Sequence, residues 1–231
     1  MKVQLLIPAA GSGTRLGAAM PKALIDLEGR PMLVRTVRRF LDINIAPPAI
    51  IAAPKASHQL FREALEQAAI ELPTIFVEGG ETRQESVFRG LMHADLDTDI
   101  VVIHDAARPF VPLDAITGSI TAAAEMGAAT VAVPSVDTIL IGDAAAFLES
   151  TPDRSRVWAC QTPQTFQKSV IEEAHRRAVA ESYAGTDDAT LVRRLGRPVR
   201  LIEGAVWNIK ITTPTDLAIA RLLIREGLVE C

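Results

Sequence analysis

Short apolar segments alternate with longer segments of helical periodicity along most of this chain, and this alternation limits the folds available to it. The segments 3–7, 50–53, 74–77, 100–103 and 129–133 are short and rich in β-branched residues, as strands are. The segments predicted as helices are 31–41, 57–70, 84–94 and 113–126. Strands separated by helices of about 10–15 residues are typical of βαβ units. We therefore predict an α/β fold, with a mainly parallel sheet covered by helices on both faces.

The alternation is interrupted after residue 134. Residues 136–141 alternate like a strand, a polar stretch follows, and residues 156–160 are consistent with a returning strand. We interpret residues 135–161 as a β-hairpin arm inserted into a single domain that spans residues 1–231. Beyond the arm the pattern resumes, with helices predicted at 168–181 and 215–225 and strands at 199–202 and 208–211.

Composition excludes several classes of function. The 24 basic and 28 acidic residues give a net charge of −4, which is unsuited to nucleic acid or an anionic membrane surface. The two cysteines, Cys160 and Cys231, form no CxxC pair, so neither a zinc site nor a disulfide framework is expected. No apolar run approaches the ~20 residues of a membrane span, and the run at 3–8 is too short for a signal peptide and is interrupted by Gln4. We expect a cytoplasmic protein.

The first candidate motif is the loop PAAGSGTRLG at 8–17, directly after the first predicted strand. Its small residues allow close approach of the backbone to a phosphate. The spacing is neither the GxGxxG dinucleotide pattern nor a P-loop, and no acidic residue ends the second strand to bind a ribose. Two cations, Arg15 and Lys22, follow the small residues of this loop, a combination suited to a triphosphate. A tight turn with solvated basic residues is the alternative.

The second motif, GGETRQESV at 79–87, also lies between a predicted strand and a helix. Its glycine pair permits close approach of a flat ligand such as a base, and Ser86 is able to hydrogen-bond the base or the ribose. The alternative is an ordinary helix start, with Thr82 as N-cap and Glu85 at capping-box spacing.

The third motif, HDAARP at 104–109, follows the fully apolar strand 100–103. Ligands of open α/β sheets collect beyond the carboxyl ends of the strands. Asp105 is therefore a natural oxygen ligand for Mg²⁺ bridging phosphates, unless it caps a neighbouring turn. We interpret His104 as a packing residue.

Four further segments accompany these three motifs: PSVDTI at 134–139, QTPQ at 161–164, TDDA at 186–189 and NIKIT at 208–212. In this order and nearly end to end, the set resembles the family of 2-C-methyl-D-erythritol 4-phosphate cytidylyltransferases of non-mevalonate isoprenoid synthesis. The resemblance implies a Rossmann-like, homodimeric nucleotidyltransferase whose β-hairpin arm swaps against its partner. It also implies that CTP and a polyol phosphate react, with Mg²⁺, to a CDP-linked alcohol and pyrophosphate.

The resemblance assigns roles to individual residues. Arg15 and Lys22 match the stabilisers of the transition state, and Asp105 matches the magnesium ligand. Lys210 and Arg154 are further catalytic candidates, both also in contact with the acceptor. The triphosphate loop corresponds to Ala9, Ala10, Gly11 and Gly13, and the cytosine and ribose contacts to Gly80, Glu81 and Ser86. The acceptor contacts correspond to Asp105, Arg108, Thr138, Arg154 and Lys210, with Thr138 and Arg154 supplied by the partner chain.

One departure from the family pattern and three competing functions complete the sequence-based interpretation. Trp207 stands where family members often carry an acidic residue before the NIK triplet, so no carboxylate is available there. A ribitol-5-phosphate cytidylyltransferase is the nearest alternative function. A non-catalytic nucleotide-binding module is disfavoured by the intact set Arg15, Lys22, Asp105 and Lys210. A dinucleotide oxidoreductase is disfavoured by the missing ribose-binding carboxylate.

Overall fold

The strands follow the short apolar segments of the sequence. The computed structural model describes residues 1–11 and 20–229, so Gly13 and Arg15 lie outside the described residues. The described strands are β1 (Val3–Pro8), β2 (Asp26–Leu27), β3 (Arg30–Pro31), β4 (Ala49–Ala53), β5 (Thr74–Glu78), β6 (Ile100–Ile103), β7 (Ala128–Pro134), β8 (Ile141–Gly142), β9 (Leu148–Ser150), β10 (Trp158–Gln167) and β11 (Arg200–Glu203). The described helices are α1 (Met32–Arg38), α2 (His58–Gln67), α3 (Arg83–Leu91), α4 (Leu113–Met126), α5 (Lys168–Ala180), α6 (Asp188–Arg194) and α7 (Pro214–Arg225).

The described part of the chain contains a seven-stranded sheet in the order β11-β7-β10-β6-β1-β4-β5. Strand β10 runs antiparallel to both of its neighbours, and the other pairings are parallel. The predicted α/β fold with a mainly parallel sheet is therefore confirmed. Among the described helices, none has the length and apolarity that crossing a bilayer requires.

The central strands of the sheet are almost entirely apolar because helices cover both of its faces. Side chains alternate between faces along a strand, so Leu5 and Ile7 of β1 pack in one core with Phe61 of α2 and Ile116 of α4. Leu6, between them, packs in the opposite core with Ile171 of α5. All six side chains are fully buried. A strand buried on both faces has no polar face, which explains the apolar run of β1 and β6.

The sequence-based prediction is wrong at two places near the carboxyl terminus. Residues 208–211 were predicted as a strand but form a loop. Their polar groups bond to other parts of the chain: the Asn208 amide donates to Gln161 of β10, and the Ile211 N–H donates to Ala107 in the loop after β6. Helix α6 was not predicted, because its seven residues are too few to display a clear period. Most other elements differ from the prediction only by a few residues at their ends.

The segment predicted as an arm leaves the sheet between β7 and β10. The ends of these strands pair, with Trp158 opposite Pro134, and the short strands β8 and β9 pair with each other farther out. The returning strand begins at Trp158 and not at Arg156, because residues Arg154–Arg156 form a 3₁₀ turn. Phe147 and Leu148 near the tip are 72% and 64% exposed. The described part of the chain therefore does not bury these two large apolar side chains.

Helix α3 lies unusually close to the sheet because one of its residues has no side chain. A β-carbon built on Gly90 would lie 2.3 Å from Cδ1 of Leu6, which is fully buried in β1. A β-carbon built on Gly118 of α4 would instead lie 3.5 Å from its nearest neighbour, an ordinary contact. Close approach at Gly90 places the first turn of α3 beside the carboxyl end of the sheet.

We predict that Gly90→Ala lowers the free energy of unfolding by about 1–3 kcal/mol, because Leu6 has no space to move into. Gly118→Ala is the matched control, expected to be neutral or to gain about 0.5–1 kcal/mol from helix propensity alone. Urea unfolding of both variants measures the difference. Equal stability of the two variants would show that α3 accommodates a methyl group.

Candidate active site

A cavity of about 400 Å³ opens at the carboxyl end of β1 and β6. Its described wall comes from six separate stretches of the chain, several of which the parallel strands bring to one edge of the sheet. The described residues of this wall include Ala9, Ala10, Gly11, Lys22, Gly80, Glu81, Arg83, Ser86, Asp105 and Lys210. Motifs that are up to two hundred residues apart in the sequence thus meet around one space.

Small residues allow the loops after β1 and β5 to touch. A β-carbon built on Gly79 would lie 2.5 Å from Cβ of Ala10, so only glycine fits at this crossing. Ser86 is buried, and its hydroxyl accepts a hydrogen bond from the Gly80 N–H at 3.0 Å and donates to the Thr82 carbonyl at 2.9 Å. The Ser86 hydroxyl therefore shapes the turn that forms the cavity wall.

Helix α3 begins at this turn. The Thr82 hydroxyl caps the helix by accepting the Glu85 N–H at 3.1 Å. The Glu85 carboxylate accepts the Glu81 N–H at 2.9 Å. The predicted N-cap of α3 is therefore present, and Gly80 and Glu81 of the same turn also line the cavity. The two interpretations of this motif, helix start and ligand wall, are compatible.

The strongest electrostatic feature of the cavity is Asp105, which follows β6. Its Oδ1 accepts from Nε of Arg83 at 2.8 Å, and its Oδ2 lies 2.7 Å from Nζ of Lys210. Burial by itself raises the pKa of Asp105, but the charges of Arg83 and Lys210 outweigh it and hold the pKa well below its usual range. Asp105 is therefore a buried carboxylate that remains ionised between two cations.

Lys210 reaches Asp105 from the loop that follows β11. Arg108 holds this loop by donating to the Asn208 carbonyl at 2.6 Å and to the Cys160 carbonyl at 3.2 Å. Arg108 does not contribute to the described cavity wall. The structure thus places this predicted acceptor contact behind Lys210, where it fixes the loop.

Residues 3–226 match the family model IspD, 2-C-methyl-D-erythritol 4-phosphate cytidylyltransferase. The chain belongs to this family. The enzyme of that name from Caldanaerobacter subterraneus subsp. tengcongensis is 42% identical over 98% of this chain and all of its own, and the one from Symbiobacterium thermophilum is 43% identical over 99% and 95%.

Solved structures of the IspD family share the fold. The cytidylyltransferase of Thermus thermophilus superposes with a TM-score of 0.80 at 37% identity, covering 97% of this chain and all of that one. The 4-diphosphocytidyl-2C-methyl-D-erythritol synthase of Anaerococcus prevotii gives 0.87 at 30% identity, covering 97% and 96%. The resemblance in the sequence motifs is thereby confirmed, and the chain is a cytidylyltransferase.

The structure brings some of the predicted site residues together and leaves Arg108, Thr138 and Arg154 outside the described cavity wall. Lys22, Asp105 and Lys210 share the cavity wall with the loops at Ala9 and Gly80. Thr138 and Arg154 are exposed on the arm and do not contribute to that wall. Arg154 donates to the Val136 carbonyl at 3.3 Å, within the arm. Trp207 lines a different groove, beside Phe110 and Leu228.

Sequence reasoning missed Arg83, which stands in the middle of the GGETRQESV motif but received no role. Its side chain contributes to the cavity wall and bonds Asp105. Asp188, inside the TDDA motif, bonds the same guanidinium. The available signal was the position of Arg83 immediately after the predicted N-cap, which places it at the carboxyl edge of the sheet together with Asp105.

His104 is a packing residue, as expected. It is fully buried, and its ring lies edge-on to Phe40 with 5.1 Å between centroids. Nε2 lies 2.9 Å from the Arg108 carbonyl, which can only accept, so Nε2 carries the proton. Nδ1 then accepts from the Thr162 hydroxyl at 3.0 Å, and that hydroxyl accepts the Asp105 N–H. Neutral His104 thus supports the backbone of Asp105.

We predict that His104 makes the protein less stable in mild acid. Burial lowers the pKa of His104 from 6.5 to about 4. Between these values the unfolded chain binds the proton and the folded chain does not, so stability falls as the pH falls. The loss from about pH 7 to about pH 5 is roughly 2 kcal/mol. Urea unfolding across this range measures it.

His104→Gln should unfold with a shallower dependence on pH than the wild type over the same interval. His93→Gln is the matched control, because His93 is exposed, and it should retain the wild-type dependence. Parallel curves for the wild type and His104→Gln would contradict the assignment.

Proposed function

We propose that this chain transfers CMP from CTP to 2-C-methyl-D-erythritol 4-phosphate and releases pyrophosphate. An oxygen of the acceptor phosphate attacks the α-phosphorus of CTP, and the bond from that phosphorus to the β-phosphate oxygen breaks. The product is 4-diphosphocytidyl-2-C-methyl-D-erythritol. The observation that supports this proposal best is the meeting of Lys22, Lys210 and ionised Asp105 beside the small-residue loop after β1, in a chain of the IspD family.

The residues on the wall suit a reaction between two anions. The attacking phosphate oxygen is already negatively charged, so no general base is needed to activate it. The barrier arises from bringing two polyanions together and from charge on the leaving pyrophosphate. Lys22 beside the triphosphate loop and Lys210 across the cavity supply fixed positive charge for these two tasks. Arg15 is assigned to the same task by the sequence.

Magnesium is part of the proposal, with Asp105 as its ligand. Within the described ranges no three His, Cys, Asp or Glu side chains form a metal-binding cluster. Mg²⁺ fits this donor set because it commonly binds one or two carboxylates and takes its remaining ligands from phosphates and water. When bound, it neutralises charge on the phosphate oxygens. Asp105 is ionised and faces the cavity, so it is able to hold the ion once Lys210 turns to a phosphate.

The proposed nucleotide end is the turn at Gly80 and Glu81. A β-carbon built on Gly80 would lie 2.3 Å from the Glu85 side chain, so a side chain at this position would displace the cap of α3. Backbone carbonyls of this turn are suited to accept from the amino group of cytosine, and Ala9, Ala10 and Gly11 line the same cavity for the triphosphate.

A homodimer with composite active sites is the final element of the proposal. The arm exposes Phe147 and Leu148, and a short two-stranded hairpin is marginal in water without further packing. A twofold partner is the commonest cover for such a surface. Thr138 and Arg154, which lie apart from the cavity of their own chain, would then reach the acceptor in the site of the partner.

The first test is a pyrophosphate-release assay with CTP and Mg²⁺. We expect turnover with 2-C-methyl-D-erythritol 4-phosphate, much less with ribitol 5-phosphate, and none after chelation of the metal. Lys22→Ala should lower kcat about 10²–10³-fold while CTP binding measured by calorimetry changes little, because its charge acts on the transition state. Faster turnover with ribitol 5-phosphate would show that the proposed acceptor is wrong. CTP binding without any turnover would indicate a non-catalytic nucleotide-binding module.

The second test is complementation between subunits. Arg154→Ala and Lys22→Ala homodimers should each be nearly inactive. A mixed dimer carries both lesions in one site and none in the other, so an equilibrated equal mixture should recover about a quarter of wild-type activity. Subunit exchange is verified separately by mass spectrometry of tagged chains. An exchanged mixture that stays inactive would show that Arg154 does not act across the dimer.

A further inference from the structure

A line of buried polar side chains extends from the cavity into the protein behind it. Arg83 donates from Nε to Asp105 at 2.8 Å and from one terminal nitrogen to Oδ2 of Asp188 at 2.6 Å. Oδ1 of Asp188 lies 3.0 Å from Nε2 of His175. Asp188 is the first residue of α6, and His175 lies on α5. The line therefore connects the cavity to two helices that do not line it.

Asp188 is fixed from several sides. Its side chain is only 1% exposed, and its backbone N–H donates to Oε1 of Gln164, a buried residue of β10, at 2.9 Å. The His175 ring stacks on Phe88 of α3 with 6.0 Å between centroids and an interplanar angle of 3°. Burial by itself raises the pKa of Asp188, but Arg83 and His175 outweigh it and lower the pKa. Asp188 is thus a rigid anion.

The effect of this anion on Arg83 follows from guanidinium geometry. A guanidinium binds one carboxylate through two parallel hydrogen bonds when nothing else competes. Here Asp188 holds one terminal nitrogen, Nη1, and Asp105 receives only Nε. The other terminal nitrogen, Nη2, is buried without a hydrogen-bond partner, although it is the one that could pair with Nε on a carboxylate. The second oxygen of Asp105 is left to Lys210 at 2.7 Å, and the charges of two cations and two carboxylates cancel. Without the charge of Asp188 to hold it, the guanidinium would be able to turn Nη2 to the second oxygen of Asp105 and displace Lys210.

We propose that Asp188, held by His175, is a positioning residue for nucleotidyl transfer: it divides Arg83 between two carboxylates, so that Asp105 keeps one oxygen for Lys210 at the cavity wall. The inference rests on the proposed function, because it assumes that Lys210 takes part in turnover. A purely structural role, in which the ion pair only fastens α6 to α3, is the competing explanation. Both explanations involve Arg83, and they differ in whether loss of the Asp188 charge changes the contact between Lys210 and Asp105.

The test is a double-mutant cycle on kcat/KM for the acceptor phosphate. Asp188→Asn preserves the shape of the side chain and removes its charge. We expect kcat/KM to fall about 10-fold, the lower end of the range for residues that orient an active-site group. The Kd for CTP should change less than about twofold, since the wall at Ala10 and Gly80 is untouched. In the Arg83→Gln background the same change should have almost no further effect. Additive losses would overturn the proposal, because Asp188 would then act independently of Arg83.

Three further variants separate charge from folding. Asp187→Asn is the matched control, because Asp187 caps α6 by accepting the Thr190 N–H at 2.7 Å and asparagine caps equally well, so wild-type kinetics are expected. His175→Gln keeps a donor for Asp188 and should retain most activity, whereas His175→Leu removes it and should reproduce part of the Asp188→Asn loss. Thermal unfolding and circular dichroism of every variant verify that it is folded. A folded His175→Leu with wild-type kcat/KM would contradict the role of His175.

A chemical readout makes the inference independent of turnover. Lys210 should be acetylated faster by an N-hydroxysuccinimide ester in Asp188→Asn than in the wild type or Asp187→Asn, because it has lost its place on Asp105. Peptide mass spectrometry measures the rate. An inactive wild type in which this difference persists would refute the proposed function alone. An active wild type with unchanged Lys210 labelling in Asp188→Asn would refute this inference alone.

Discussion

The site depends on a carboxylate that remains charged although it is buried. Taking Asp105 out of water is costly, and the cost is offset only because Arg83 and Lys210 each contact one of its oxygens. Each cation comes from a different part of the chain, one from the first turn of α3 and the other from the loop after β11. The ion pairs are therefore complete only when the sheet, α3 and that loop are all in place, which links the charge arrangement of the cavity to the whole fold.

Parallel topology explains why these parts meet. Strands β1, β4, β5 and β6 run in one direction, so the loops that follow them emerge at one edge. Strand β10 runs the opposite way between β6 and β7, which brings Thr162 beside His104 and the backbone of Asp105. The antiparallel strand thus has two functions. It carries the chain back from the arm, and it supports the segment that presents the buried carboxylate to the cavity.

The sequence predicted the βα framework well because buried parallel strands and amphipathic helices leave strong periodic signals. The sequence motifs also predicted that Lys22, Asp105 and Lys210 belong to one site. The prediction failed at residues 208–211, since an alternating segment forms a strand only if a partner strand is available, and here the Asn208 side chain, not the backbone, donates to Gln161 and Thr162 of β10. It gave no role to Arg83, Asp188 or His175, because a long-range ion pair has no local period. Such partners become visible only when α3, α5 and α6 are packed against each other.

A site whose charges are balanced before ligands arrive has a consequence for how it binds them. Lys210 is 41% exposed, whereas Arg83 is held by two buried carboxylates. An incoming phosphate therefore competes with Asp105 for Lys210 more easily than for Arg83. In the proposed reaction, Lys210 would turn to the phosphate, and Asp105 would keep Arg83 with one oxygen available for the proposed Mg²⁺. The cost of orienting these groups has been met during folding, so little rearrangement remains for the reaction itself.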